Sequence, residues 1–286
     1  MNTTAQIAFL GGGNMARALI QGLLRQGCRA SQLRVGEPQA AQREQLQRDF
    51  ALLATADNAA AIAGSAVVVL AVKPQQMNEV LAAARPALER TRPLLLSIAA
   101  GLQIADIAAG CPGLPIVRAM PNRAALVGAG ATALYAGAEV NAAARSLAED
   151  IVGTAGTVVW VQRESDLDIV TALSGGGAAY FFLLAERLAA AATALGLDAE
   201  TARLLATQTL RGAGALAASA QSLAEQRATI TSPGGTTEAA LAALEQGGFD
   251  KLVAAAVSAA TRRGAALAAE FGRSGRAPLR APGAHR

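Results

Sequence analysis

The first half of the chain alternates short apolar runs with segments of helical periodicity. The runs of strand length lie at residues 5–10, 32–36, 66–72, 94–100, 116–120, 132–136 and 157–161. Helical segments are predicted at residues 14–26, 75–89, 102–110 and 141–152, and a charged helix is predicted between Glu37 and Phe50. Unbroken apolar strands are typical of parallel sheets covered on both faces. The alternation therefore predicts an α/β domain with a doubly wound parallel sheet and right-handed crossovers.

Beyond Trp160 the pattern becomes helical throughout. Alanine- and leucine-rich segments with helical spacing lie at residues 164–173, 178–195, 198–220, 237–246 and 249–271. Residues 180–195 are apolar over most of the helix circumference, so an isolated small domain could not cover them. A second copy of the chain is the expected cover, which predicts a homodimer through this all-α dimerisation domain and leaves a larger ring of dimers open.

These patterns give the expected domain boundaries. The α/β domain is predicted for residues 1–162 and the all-helical domain for residues 163–273. Residues 274–286 are rich in Gly, Pro and Arg and are expected to form a flexible tail.

The composition of the chain limits the kinds of binding partner that we expect. The chain has 25 Lys and Arg against 21 Asp and Glu, a formal net charge of +4, and its arginines are scattered, so no nucleic-acid partner is expected. No uninterrupted apolar stretch reaches the roughly 18 residues of a membrane span, and no basic segment precedes the first apolar run. Cys28 and Cys111 have no CxxC spacing, which is typical of a reducing compartment. We expect a cytoplasmic protein without a membrane partner.

The histidine content excludes several chemistries. The chain has one histidine, His285, and it lies in the expected tail. A mechanism that needs a positioned imidazole is therefore not expected, which argues against His-dependent dehydrogenases, Ser-His-Asp hydrolases and most zinc sites. No metal site is predicted.

A glycine-rich turn follows the first apolar run. Gly11, Gly12, Gly13, Asn14, Met15 and Ala16 fit the pattern G-x-G-x-x-A between a strand and a helix. In a Rossmann domain the first glycine permits the tight turn, the second lets a pyrophosphate approach the backbone, and the last small residue lets the helix pack on the strand. The turn therefore predicts a dinucleotide site.

The end of the second strand bears on which dinucleotide binds. Glu37 follows this strand, where a carboxylate can bind both ribose hydroxyls of NADH and repel the additional phosphate of NADPH. Arg34 and Arg43 are near enough in sequence to compensate. The residues favour NADH slightly and leave NADPH open.

Further motifs resemble one family. They are FLGGGNM (9–15), AVKPQ (71–75), SIAAG (97–101), RAMPN (118–122), LSG (173–175) with AYF (179–181), and SPGGTT (232–237). In this order and spacing, over residues 5 to 271, the chain resembles pyrroline-5-carboxylate reductase. The resemblance implies reduction of the ring imine of 1-pyrroline-5-carboxylate to L-proline by NADPH or NADH, the last step of proline biosynthesis.

The resemblance also implies site residues. By motif, the cofactor would contact Gly11, Gly12, Gly13, Asn14, Met15, Glu37, Asn58, Ala71, Val72, Lys73, Pro74, Ala99, Ala100 and Asn122. The substrate would contact Glu164, Ser232, Gly235, Thr236 and Thr237. Thr237 is the expected catalytic residue, with its hydroxyl facing the ring nitrogen. Independently, the Pro and Gly residues before Thr236 predict a helix N-terminus, which suits a small carboxylate.

The chain departs from the family pattern at several positions. Arg123 and Ala124 follow Asn122 where Thr and Pro are usual, and Gly176 and Ala178 replace a Ser and a Pro. Each lost proline is expected to loosen a turn by about 0.4–1 kcal/mol. These changes keep a non-catalytic or altered-substrate nucleotide-binding paralogue open as an alternative.

A β-hydroxyacid-type dehydrogenase is the second alternative. That group resembles the chain in its first thirty or so residues, but it uses a helix lysine just past the domain junction. Residues 174–195 contain no lysine, and Lys251 is too far along the chain.

Overall fold

Seven of the eight strands of the sheet were predicted from sequence. The computed structural model describes residues 5–275, and side chains up to residue 271. The strands are β1 (Ile7–Leu10), β2 (Leu33–Gly36), β3 (Leu53–Thr55), β4 (Val67–Leu70), β5 (Leu94–Ser97), β6 (Ile116–Met120), β7 (Gly130–Ala136) and β8 (Gly156–Trp160). Their order in the sheet is β3-β2-β1-β4-β5-β6-β7-β8. The predicted doubly wound α/β fold is confirmed.

One strand departs from the expected parallel direction. β7 runs antiparallel to β6, whereas the other neighbouring strands of the sheet are parallel. A parallel return needs a crossover of a dozen or more residues, usually a helix. The β6–β7 connection holds only a short 3₁₀ turn, Arg123–Val127. The expectation of parallel pairing is wrong for this pair because its connection is too short.

Helices alternate with most of the strands up to β8, and only helices follow after β8. The helices are α1 (Asn14–Arg25), α2 (Ala40–Phe50), α3 (Asn58–Ile62), α4 (Met77–Thr91), α5 (Ile104–Gly110), α6 (Ala142–Gly153), α7 (Asp166–Val170), α8 (Gly177–Ala194), α9 (Ala199–Leu216), α10 (Leu223–Thr229), α11 (Thr236–Gln246) and α12 (Phe249–Gly275). A π-helical turn, Thr171–Gly175, lies between α7 and α8. The short elements β3, α3 and α10 had no separate signal in the sequence.

Alternate residues of the central strand face two different cores. Ile7 and Phe9 of β1 belong to one buried cluster, and Ala8 and Leu10 belong to the other. All four are fully buried. Since successive side chains of a strand point to opposite faces, β1 needs apolar residues at every position. This explains the unbroken apolar run in the sequence.

The chain forms two compact units, with a boundary that differs from the expected one. Within the described residues, one unit runs to Gly175 and resumes at Ala260, and the other is Gly176–Ala259. The expected boundary after residue 162 falls earlier, because residues 163–175 are bound to the sheet unit. Glu164, for example, pairs with Arg118 of β6, and Ser174 accepts a hydrogen bond from Asn122.

The expected tail overlaps the last helix. α12 continues to Gly275, which includes the first two residues of the predicted tail. The rest of the tail, with His285, lies outside the described residues.

The second unit exposes many large apolar side chains. On α8, Phe181, Phe182 and Leu183 are half or more exposed. Among the described residues one helical stretch, Asp166–Ala194, has the length and apolar composition needed to cross a membrane. A helix that is mostly apolar and uncovered within its own chain requires some other cover.

Candidate functional site

The glycine turn after β1 has a backbone that only glycine adopts easily. Gly11 has φ +98°, and a Cβ at this position would lie 2.8 Å from the carbonyl oxygen of Ala71. Its N–H donates to the carbonyl oxygen of Gly36 at 2.8 Å. The first glycine therefore brings the ends of β1, β2 and β4 together, as the motif requires.

The third glycine of the turn leaves open space. Gly13 is the N-cap of α1, and a Cβ added there would meet no atom within 4 Å. Packing within the protein therefore does not require glycine at this position. Asn14 and Met15 follow as the first residues of α1, whose free N–H groups favour an anion. These features fit the pyrophosphate of a dinucleotide.

A cavity of about 370 Å³ opens beside this turn. Among its lining residues are eight of the predicted cofactor residues: Gly11, Gly12, Gly13, Glu37, Asn58, Ala71, Val72 and Lys73. Sequence reasoning did not select the other lining residues, which are Gly36, Pro38, Gln39, Gln42, Ala56, Gln76, Glu79, Val80 and Ala83. Most of these follow β2 or begin α4, and carry no motif that would have distinguished them.

Glu37 lies on the wall of this cavity and is buried. One carboxylate oxygen, Oε2, accepts the N–H of Gly12 at 3.0 Å, and the other, Oε1, accepts the N–H of Gln39 at 3.0 Å. A carboxylate has about four acceptor sites, so it can still accept further hydrogen bonds. The backbone thus holds a negative charge next to the glycine turn.

The two arginines that could offset this charge bind backbone carbonyls. Arg43 Nη1 donates to the carbonyl oxygens of Glu37 at 2.9 Å and Pro38 at 2.7 Å. Arg34 Nη1 donates to the carbonyl oxygen of Ala63 at 2.6 Å. Each guanidinium group is therefore engaged with the protein itself.

Asn58 contacts the end of β2 directly. A Cβ on Gly36 would lie only 2.2 Å from Asn58 Oδ1, so a larger residue at position 36 would displace this amide. Asn58 is also the first residue of α3, with Asp57 as its N-cap. The close approach of Gly36 fixes Asn58 at the cavity wall.

Six predicted cofactor residues are not among those that line the cavity. Asn14 and Met15 are the first two residues of α1. Pro74 opens a 3₁₀ turn directly after Lys73, while Ala99 and Ala100 lie on the loop between β5 and α5. Asn122 uses both ends of its amide within the protein. Its Nδ2 donates to the carbonyl oxygen of Ser174 at 3.1 Å, and its Oδ1 accepts the N–H of Ala131 at 3.1 Å.

The predicted substrate segment forms the start of a helix in the second unit. α11 begins at Thr236 with Gly235 as its N-cap, as expected from the sequence. The N–H of Gly235 donates to the carbonyl oxygen of Ser232 at 3.0 Å. Glu238 Oε2 accepts the N–H of Gly234 at 2.7 Å. Ser232, Gly235, Thr236 and Thr237 therefore share one turn next to the first N–H groups of α11.

Glu164 lies in the first unit, where it binds protein groups. Its Oε1 accepts hydrogen bonds from Arg118 Nη1 at 2.8 Å and from the backbone N–H of Ile104 at 2.7 Å. Arg118 was not selected from the sequence. A charge inside the apolar strand IVRAM was the available signal, since buried charges require partners.

The two thiols are poor nucleophiles. Burial raises the pKa of the Cys111 thiol to about 11, and burial also raises the pKa of Cys28. Both therefore stay protonated at neutral pH, and both are free. In residues 5–275, no three His, Cys, Asp or Glu side chains are grouped so that they could hold a metal ion. The expectation of a metal-free site stays a prediction.

Two family models match the chain. One, described as pyrroline-5-carboxylate reductase dimerisation, matches residues 164–267. The other, described as NADP oxidoreductase, coenzyme F420-dependent, matches residues 6–101. The first covers the whole of the helical unit, Gly176–Ala259, and the second covers the glycine turn and the cavity wall.

Individual relatives match over nearly their whole length. The pyrroline-5-carboxylate reductase of Pseudomonas aeruginosa is 45% identical over 273 residues, which are 94% of this chain and 99% of the relative. That of a Synechocystis species is 40% identical over 260 residues, or 90% of this chain and 96% of the relative.

Solved structures give the same result. A pyrroline-5-carboxylate reductase of Coxiella burnetii superimposes with a TM-score of 0.89 at 39% identity, covering 93% of this chain and 99% of that one. The pyrroline carboxylate reductase of Plasmodium falciparum, solved with NADP bound, has a TM-score of 0.77 at 30% identity, covering 93% and 98% of the two chains.

Proposed function

Because the chain belongs to the pyrroline-5-carboxylate reductase family, we propose that it reduces 1-pyrroline-5-carboxylate to L-proline with a reduced nicotinamide dinucleotide. It is an oxidoreductase that acts on a C=N bond, in the last step of proline biosynthesis. The observation that carries this proposal is the match at 45% identity across 94% of the chain, because it includes both units.

The chain's own groups support cofactor binding in the first unit. The open space at Gly13, the N-terminus of α1 and Lys73 suit a pyrophosphate, while Glu37 and Asn58 suit a ribose and its adenine. We propose that Asn14, Met15, Ala71, Val72, Pro74, Ala99, Ala100 and Asn122 complete the site. When bound, the reduced dinucleotide supplies a hydride.

The substrate groups lie in the second unit. We propose that Ser232, Gly235 and Thr236 bind the substrate carboxylate, because free N–H groups and hydroxyls meet at the start of α11. In the protonated imine the ring nitrogen carries an N–H, and the Thr237 hydroxyl oxygen would accept its hydrogen bond. The ring carbon accepts the hydride and the nitrogen keeps a proton, so the protein mainly aligns donor and acceptor and excludes water. No imidazole is needed.

We further propose a preference for NADH over NADPH. Glu37 is held in place by the N–H groups of Gly12 and Gln39, so its charge would face a 2′-phosphate. Arg43 and Arg34 are engaged with backbone carbonyls, and neither needs a phosphate as a partner. The carbonyl hydrogen bonds fix the position of each guanidinium group without removing its charge, so the proposed preference rests on Glu37.

An assay of NADH and NADPH oxidation with 1-pyrroline-5-carboxylate tests both proposals. The wild type is expected to turn over, with the larger kcat/KM for NADH. Glu37→Gln should raise the NADPH to NADH ratio of kcat/KM about tenfold, which corresponds to about 1.4 kcal/mol. Glu44→Gln, on the exposed side of α2, is the matched control and should leave the ratio unchanged.

Two outcomes would count against these proposals, and they are distinct. Absence of turnover with both cofactors overturns the reductase assignment. Turnover with a cofactor ratio that Glu37→Gln leaves unchanged removes Glu37 as the determinant while the reductase assignment stands.

The protein forms homo-oligomers, and we propose that their basic unit is a dimer formed through the helical unit. The dimerisation model covers residues 164–267, which include the whole apolar stretch Asp166–Ala194. This match supports a protein surface rather than lipid as the cover of α8. We also propose that the protein is cytoplasmic, and the two free thiols support this location. Measurement of the mass in solution would distinguish a single dimer from a ring of dimers.

A further inference from the structure

An ion pair between the buried Arg118 and the partly exposed Glu164 connects β6 to the segment after β8. The Arg118 side chain is 8% exposed and that of Glu164 is 26% exposed, with 2.8 Å between Nη1 and Oε1. Burial of the arginine costs desolvation energy that offsets part of the Coulomb gain, so the contribution of the pair to stability does not by itself explain its presence. A second hydrogen bond to the Glu164 carboxylate provides an explanation.

Glu164 also binds the start of α5. Its Oε1, the oxygen that accepts from Arg118, accepts the N–H of Ile104 at 2.7 Å. Ile104 is the first residue of α5, and its N–H is one of the helix donors that lack a partner within the helix. The loop at residues 98–103 joins β5 to this point, so Glu164 fixes the far end of that loop.

The near end of the loop is also fixed. Ile98 donates its N–H to the carbonyl oxygen of Leu70 at 3.2 Å, in continuation of the sheet. Ala99 and Leu102 are buried between these ends. The loop is therefore held by the sheet on one side and by Glu164 on the other.

The charges of the same ion pair also act on a second carboxylate, that of Asp168. Burial raises the pKa of Asp168, the charge of Arg118 lowers it, and the charge of Glu164 raises it. One guanidinium group thus interacts with two carboxylates. In this arrangement Arg118 and the N–H of Ile104 both bind Oε1, so protein groups fix the position of the Glu164 carboxylate.

We infer that Glu164 is a positioning residue, which holds the start of α5 and with it the loop that carries Ala99 and Ala100, rather than a group that contacts substrate. The functional part of this inference rests on the proposed cofactor role of Ala99 and Ala100. The structural part, the restraint of the loop, does not.

Amide hydrogen exchange tests the restraint without any activity. In Glu164→Ala, peptides that cover residues 98–107 should exchange at least about tenfold faster, which corresponds to about 1.4 kcal/mol. Glu164→Gln should stay near the wild-type rate, because its amide oxygen can accept both hydrogen bonds. Glu139→Ala, at an exposed position, is the control and should leave these peptides unchanged. Equal exchange in Glu164→Ala and the wild type would overturn the inference.

Steady-state kinetics separate positioning from substrate contact. Glu164→Ala should lower kcat at least about tenfold and leave KM for 1-pyrroline-5-carboxylate within about twofold, while Glu164→Gln restores most of kcat. A loss confined to KM for the substrate, or a loss in Glu164→Gln as large as in Glu164→Ala, would show a direct substrate contact and overturn the inference.

A change at the other end of the hydrogen bond keeps the test valid if Glu164→Ala does not fold. Proline is tolerated at the first position of a helix, and Gln103 before it is already extended, so Ile104→Pro removes only the N–H and the Ile side chain. Ile104→Val shortens the side chain and keeps the N–H. Ile104→Pro should reproduce the kcat loss and Ile104→Val should not; equal kinetics in the two variants would overturn the inference.

If the wild type shows no turnover, the reductase assignment fails and the kinetic arm is lost with it. The exchange rates of Glu164→Ala and Glu164→Gln still decide whether Glu164 restrains the loop.

Discussion

The two units of the chain differ in how far their apolar residues are buried. In the sheet unit, β1 and β4 are buried at all four positions and sit between two apolar clusters. In the helical unit, Gly177 is the one buried residue of α8, and α10 and α11 have none. The sheet unit thus contains its own core, while the helical unit presents apolar surface.

This difference shows where the protein depends on its own chain and where it depends on a partner. The sheet unit buries its apolar residues within itself. The polar edge at the carboxyl ends of its strands is then available for a dinucleotide. The helical unit can bury Phe181, Phe182 and Leu183 only against another surface. Homo-oligomerisation is therefore part of the fold of the helical unit.

The largest expected effect comes from a charge on the exposed face of α8. Phe182→Glu should weaken the dimer, because burial of such a side chain contributes about 1.5–3 kcal/mol. Two copies are buried per dimer, so Kd should rise about 10²- to 10⁴-fold. Light scattering coupled to size exclusion, over a dilution series, measures the change.

The control for this change lies in the sheet unit. Val127 is 78% exposed, and Val127→Glu should leave the mass unchanged. If both variants stay oligomeric to the same dilution, the two units do not differ as described.

The next effect separates the functions of the two units. Thr237→Ala, at the start of α11, should lower kcat/KM for 1-pyrroline-5-carboxylate at least about tenfold, or about 1.4 kcal/mol, with cofactor binding unchanged. Lys73→Ala, on the cavity wall, should weaken binding of NADH in a fluorescence titration. Thr229→Ala on α10 is the control for Thr237. The division of roles fails if Thr237→Ala leaves the substrate kinetics unchanged.

The smallest effect concerns pH, and its sign differs between the units. In the sheet unit, burial raises the pKa of Asp168 in the folded state. Its contribution to stability is then present below the ordinary pKa of aspartate and is lost as pH rises through the raised value. In the helical unit, hydrogen bonds from Thr201 lower the pKa of Asp198, so its contribution is present above the ordinary pKa and lost as pH falls.

Paired variants check these signs. Thermal unfolding from acidic to neutral pH should show a smaller fall in Tm with rising pH in Asp168→Asn than in the wild type. Asp198→Asn keeps an N-cap of similar strength and should show a smaller loss of Tm as pH falls. Equal pH profiles in the wild type and Asp168→Asn would mean that Asp168 does not carry the sheet-unit effect.

Much of the sheet unit was predictable because its signals are local. The apolar runs gave seven strands, and the glycine turn indicated the nucleotide edge. β3 and α3 were missed because they have only three and five residues, too few to show a period. The antiparallel direction of β7 was missed because strand direction depends on the connection rather than on the strand itself.

The candidate site was predictable in part for the same reason. The residues that follow β1, β2 and β4 lie next to each other on the cavity wall, since the carboxyl ends of parallel strands meet at one edge. Gln39, Gln42 and Glu79 line the same wall but follow no motif. For Asn122 only the structure reveals that both ends of its amide bind the protein.

The sequence by itself determined the order of the longer strands and helices, the glycine turn at Gly11, the helix start at Thr236 and the need for some cover over α8. These follow from spacing over a few residues, in which backbone geometry and apolar periodicity are already encoded. Only the tertiary structure decided that Glu164 joins Arg118 to Ile104, across 46 and 60 residues of sequence. A charged residue shows that it needs a partner, but packing alone determines which partner comes within hydrogen-bonding distance.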